Sequence, residues 1–105
     1  MNTQLNTEVI ENPNLKVIEL KHGFYRGDNL VTSITMFKPN TGHCRGLSLK
    51  DVLSFNIDSL AVLLPRITTP AITAQNVYQL ELMDTLKIAE EITNFLAPTE
   101  AYPTE

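Results

Sequence analysis

The sequence predicts an α+β fold, an N-terminal antiparallel β-hairpin followed by three to four α-helices. Two runs in residues 15–37 alternate at the two-residue strand period, with turn residues between them. Residues 82–96 repeat apolar positions at the helical period instead. Strands come first and helices after, which separates α+β from the alternating α/β pattern. The 105 residues suit one domain, expected over 15–97, between a flexible arm (1–14) and a flexible acidic tail (98–105).

In the first strand Leu15, Val17, Glu19 and Lys21 fall on one side and Lys16, Ile18, Leu20 and His22 on the other. Gly23 and Arg26-Gly27-Asp28-Asn29 supply the turn, because Gly and Asn tolerate positive φ. The second strand, 30–37, places Leu30, Thr32, Ile34 and Met36 on one face. A lone hairpin is marginal in water, so it must pack against the helices.

The helices start with a segment from Thr41 to about Leu53. Gly42 and Gly46 weaken its first turns, and Ser48, with Asp51 three residues on, offers a second start. Asn56 or Asp58 opens the next helix, Ser59 to about Ile67, whose apolar residues surround the cylinder and predict a central, buried element. Pro65 is expected to kink or end it. Thr68-Thr69-Pro70 reads as a linker, and Thr73 caps a short turn through Val77. In the last helix, Leu82, Leu86, Ile88, Ala89, Ile92, Phe95 and Leu96 form the expected buried half. Asp84, Lys87, Glu90, Glu91 and Asn94 form the wet half.

Composition narrows the function. Apolar residues make up 43% and charged residues 19%, ordinary for a chain that buries its own core. A net charge of −4 argues against whole-molecule attraction to nucleic acid. No apolar run approaches the roughly 20 residues of a membrane span. The first residues lack the charge-then-apolar pattern of a secretory signal, and a lone Cys44 forms no intramolecular disulfide, so a cytosolic address is expected.

Candidate chemistry is thin. His22, His43 and Cys44 fall short of a four-ligand zinc set, and adjacent His43 and Cys44 point apart on a helix, so no metal is expected. Nothing near Cys44 would orient a histidine base, and Asp84, Glu90 and Glu91 read as a solvated helix face. The four glycines match no phosphate cradle. No catalytic residue and no cofactor are therefore expected. Lys38, Arg45 and Lys50 precede two consecutive helices, which keeps open a small DNA-binding regulator using Arg45, Lys50 and Arg66. Against that reading stand the acidic total and the apolar second helix. Partner contact has its own hints. Met83 falls on the polar half of its helix, Phe24 and Tyr25 sit near the hairpin loop, and the hairpin leaves an open strand edge. Phe24, Tyr25, Arg45, Lys50 and Met83 are the candidate partner-binding residues.

Three stretches in order carry a resemblance. The run Ser33-Ile-Thr-Met-Phe-Lys-Pro-Asn-Thr-Gly-His-Cys-Arg-Gly-Leu-Ser-Leu-Lys-Asp-Val-Leu is followed by Leu63-Leu-Pro-Arg-Ile-Thr-Thr-Pro with Ile72-Thr-Ala-Gln-Asn-Val. The third is the closing Ile92-Thr-Asn-Phe-Leu. Together they resemble the phage tail assembly chaperones of Mu-like and related contractile-tailed temperate phages, over roughly residues 15–97. One departure is Glu81-Leu82-Met83, where that family often has Asp-Pro before the last helix. The resemblance implies a non-enzymatic protein in the cytoplasm of a bacterial host. It would hold the tape measure protein, with the tail tube protein as a second implied partner, while the tube assembles, and would be absent from the mature virion. It also implies that a longer form made by ribosomal frameshifting is common in the family.

Overall fold

The structure, a computed structural model, describes residues 12–96. Strands β1 (Leu15–Arg26) and β2 (Asn29–Phe37) form an antiparallel hairpin, closed by the pair Arg26 and Asn29 around Gly27-Asp28. A short 3₁₀ helix (Thr41–Cys44) leads to α1 (Leu49–Leu53) and α2 (Ile57–Ile67). Strand β3 (Thr68–Thr69), α3 (Ala74–Gln79) and α4 (Leu82–Leu96) complete the chain. This is the expected α+β order with one addition. Thr68 and Thr69, expected as linker, pair with Met36 and Thr35, giving a three-stranded antiparallel sheet in the order β1-β2-β3. Thr68 is fixed there twice: its buried hydroxyl donates to Leu64 O at 2.7 Å and accepts from Ile72 N at 3.0 Å.

The hairpin register breaks once. Glu19 faces Ser33 and Phe24 faces Val31, so Leu20 to Gly23 bulge opposite Thr32 alone. Gly23, expected in the turn, instead ends this bulge with φ +78°, and a Cβ there would lie 2.2 Å from Val31 O. The break also ends the expected alternation. Ile34 and Met36 are buried, but beyond the bulge Val31 turns toward the core opposite Phe24, leaving Leu30 and Thr32 exposed.

The expected arm (1–14) and tail (98–105) lie outside the described residues except for Asn12–Asn14. There Asn12 O accepts from Leu15 N at 3.1 Å, its Oδ1 accepts from Asn14 N at 2.8 Å, and Asn14 O accepts from Lys38 N at 2.8 Å. The start of β1 is thereby tied to the end of β2.

Local caps set the helix boundaries. Asn40 and His43 form a reciprocal box around the 3₁₀ helix. Ser48 Oγ accepts from Asp51 N, and Asn56 Oδ1 from Ser59 N, so the second of the two proposed starts opens α1 and Asn56 opens α2. Between them α1 ends with Phe55 at φ +58°. Its N–H donates to Val52 O and that of Asn56 to Asp51 O, a Schellman closure built on Phe where Gly is usual. Packing of Phe55 against the core offsets its backbone cost. Pro65 does not end the helix, which continues to Ile67.

Leu60, Leu63, Leu64 and Ile67 of α2 are almost wholly buried among Ile18, Ile34 and Met36 of the sheet and Ile88 and Ile92 of α4. At about 25 cal/mol per Å² of apolar area, this cluster is the main stabilising term. Val62 lies outside it, 40% exposed, so α2 is central but not buried all round.

Candidate partner-binding surface

The surface is set by how α4 meets the sheet. A bulge leaves backbone N–H groups without ladder partners, and a buried orphan donor costs roughly 1–3 kcal/mol. Asp84 supplies the acceptors: Oδ1 takes Lys21 N at 2.7 Å, while Oδ2 takes His22 N and Gly23 N at 2.9 Å each. Asp84 is only 1% exposed, so the sequence reading that kept it on a wet face is corrected. Burial alone would push its carboxyl up. The N–H groups of Gly23, His22 and Lys21, with the charge of nearby His22, outweigh that and hold its pKa below the ordinary value.

This anchor fixes the rotation of α4. Its inward stripe is Asp84, Thr85, Ile88, Glu91 and Ile92, with Phe95 half-buried. Glu91, also expected in water, is 7% exposed and lies 3.3 Å from Lys87 Nζ and 3.9 Å from Lys16 Nζ on β1. The expected buried half is thus turned. Leu82 and Leu86 face outward, 67% and 52% exposed, and Met83 beside them is 65% exposed. The signal in the sequence was a helix with apolar residues on more of its circumference than one core contact covers.

The other candidates fall apart in space. Phe24 is a core residue, buried against the sheet interior, whereas Tyr25 is 62% exposed and forms a cross-strand pair with exposed Leu30. The backbone carbonyl of Tyr25 accepts from Asn76 Nδ2 at 3.3 Å, and Arg26 Nη1 donates to Ala71 O at 2.8 Å, so the hairpin tip is tied to the start of α3. Arg45 and Lys50 are exposed near α1, beside exposed Leu49 and Leu53. Arg66 Nη1 donates to His43 O at 2.7 Å and Arg45 O at 3.0 Å, so it holds the 3₁₀ helix. Among the described residues no three His, Cys, Asp or Glu side chains gather as a metal site. None of the described helices is long and apolar enough to cross a membrane.

Leucines, a methionine and a tyrosine stand exposed on its helices and hairpin, so the molecule is by class a small α+β protein with apolar side chains on its surface. Two known proteins are similar to it. Tail assembly protein E of Escherichia phage P2 is 39% identical over 82 residues, covering 78% of this chain and 90% of that protein. Tail assembly protein E' of the same phage is 39% identical over 80 residues, covering 76% of this chain but 56% of that protein. The chain belongs to the phage tail assembly protein family that these two represent. It spans nearly the whole of E and little more than half of E'. No family model and no solved structure matches it.

Proposed function

We propose that the protein is a tail assembly chaperone, a non-enzymatic factor that binds the tape measure protein in the host cytoplasm while the tail tube assembles and is absent from the mature virion. The observation that carries this reading is the 39% identity across 90% of a phage tail assembly protein. The physics is compatible with it. A long helical tape measure exposes apolar stripes before the tube encloses them, and a small acidic protein with outward leucines can shield them. Displacement by tube subunits requires a modest interface without a deep grip. The greater length of E' supports the reading that family members also act in an extended form. The DNA-regulator alternative is weakened because Arg66 is engaged with backbone carbonyls and α2 lies within the core.

The test is co-expression with the tape measure protein encoded nearest to this gene, followed by affinity capture and size exclusion. Co-elution, with the tape measure insoluble when expressed alone, is the expected result. A soluble tape measure that passes through unbound refutes the reading for this chain. Heparin retention that falls with salt would return the DNA hypothesis.

A further inference from the structure

The outward side of α4 carries more than isolated leucines. Leu82, Leu86, Ala89, Thr93 and Leu96 follow one another at spacings of four, three, four and three, the period of a coiled-coil seam. The seam lies about a third of a turn around the helix from the Asp84–Ile88–Ile92 stripe that meets the core, and among the described residues its leucines are left uncovered while Ala89 is half-buried. Thr93 Oγ1 donates to Ala89 O at 3.0 Å, which satisfies its hydroxyl within the helix. On the open flank stand Met83 and exposed Glu90, while Lys87 is drawn to Glu91.

We propose that this seam seats a partner α-helix with apolar residues at alternating three- and four-residue spacing and Lys or Arg beside them. Three observations select that occupant. The seam spacing fits a helix and not a strand or a flat surface. Exposed Glu90 stands beside it, Lys87 is paired with Glu91, and the chain carries −4, which complements a basic flank and repels a second copy. The footprint is also small. Fifteen residues give a strip about 22 Å long and about 10 Å wide, short of the roughly 800 Å² per partner of a stable dimer. A long partner helix accepts several such weak contacts in series, so the proposal rests on the tape measure reading for the identity of its natural ligand.

The test uses the full chain and a fluorescent synthetic helix of about four heptads, with leucine at the seam and lysine on both flanks. The wild-type protein binds it, and a Leu82→Glu/Leu86→Glu double variant binds about tenfold or more weakly. A Val17→Glu control on the outer face of the sheet, and a glutamate-flanked peptide, separate the seam from general stickiness. The control variant keeps wild-type affinity, and the glutamate peptide binds less well. Circular dichroism confirms that both variants stay folded, as expected for exposed positions. The proposal is overturned if the wild-type chain ignores the lysine-flanked helix or the double variant binds it equally. A wild-type dimer that the double variant abolishes also overturns it, by making a second copy the occupant. Tape measure capture is scored separately. If wild type and double variant capture it alike, the seam falls and the chaperone stands. If neither captures it but the peptide binds at the seam, the chaperone falls and the seam stands.

Discussion

Replacing Asp84 by Asn removes one acceptor oxygen and turns an amide donor toward the bulge, so at least one of the N–H groups of Lys21, His22 and Gly23 loses its partner. A hydrogen bond to a charged group contributes about 1.5–3 kcal/mol, and an orphaned donor costs about 1–3 kcal/mol. Because Lys21 and His22 are exposed, water recovers part of this, and the three bonds do not add in full. The expected loss is about 2–3 kcal/mol for Asp84→Asn and about 3–5 kcal/mol for Asp84→Ala, out of the roughly 5–15 kcal/mol typical of a domain. For a chain of this length, 2–3 kcal/mol lowers Tm by roughly 10–20 °C. Urea and thermal unfolding followed by circular dichroism measure it directly.

The pH arm of the same experiment has a definite sign. The folded pKa of Asp84 lies below its unfolded value of about 3.9, so between the two the unfolded chain binds more protons. The contribution is complete above pH ~4 and is lost as pH falls through the folded value. Wild type should therefore lose stability on acidification below pH ~4 more steeply than Asp84→Asn. Stability within about 0.5 kcal/mol of wild type, or parallel acid profiles, would refute the anchor argument.

Other outcomes follow from separate features. Gly23→Ala should destabilise by about 3 kcal/mol or more, because its Cβ meets Val31 O, whereas Gly27→Ala meets nothing within 4 Å and should cost only about 1–2 kcal/mol for its φ of +63°. The difference between the two urea midpoints isolates the close approach. Leu64→Ala, at a wholly buried position in α2, should cost about 2–5 kcal/mol in the same assay. Asn56→Ala removes the cap that accepts from Ser59 N and should cost about 0.5–2 kcal/mol. An unchanged midpoint would mean that the start of α2 is held by packing alone.

Much of the fold is legible in the sequence where one local rule decides the outcome. The Gly27-Asp28 turn, the Ser48, Asn56 and Thr73 caps, and the span of α4 are all local chemistry. What was not legible depends on partners far along the chain. Thr68-Thr69 is too short to announce a strand and acquires that role only beside Thr35 and Met36. The two faces of α4 were assigned by polarity, which places carboxylates in water. Polarity cannot know that a bulge more than 60 residues earlier needs an acceptor at Asp84. The candidate surface suffered the same inversion. The exposure of Met83 is legible because a lone thioether on a polar face is conspicuous, while that of Leu82 and Leu86 escapes the rule that an amphipathic helix buries its leucines. Phe24 and Tyr25 are neighbours in sequence, yet the strand sends one into the core and leaves the other exposed.

The Asp84 anchor also bears on the order in which a growing chain can be completed. Synthesis delivers the hairpin, with its bulge and its three unpaired N–H groups, long before it delivers the carboxylate that receives them. A nascent chain that stops short of α4 holds a sheet whose distortion has no acceptor, and whose Ile18, Ile34 and Met36 lack the cover of Ile88 and Ile92. The last helix thus closes the first hairpin, and truncating it removes structure from both ends of the chain at once.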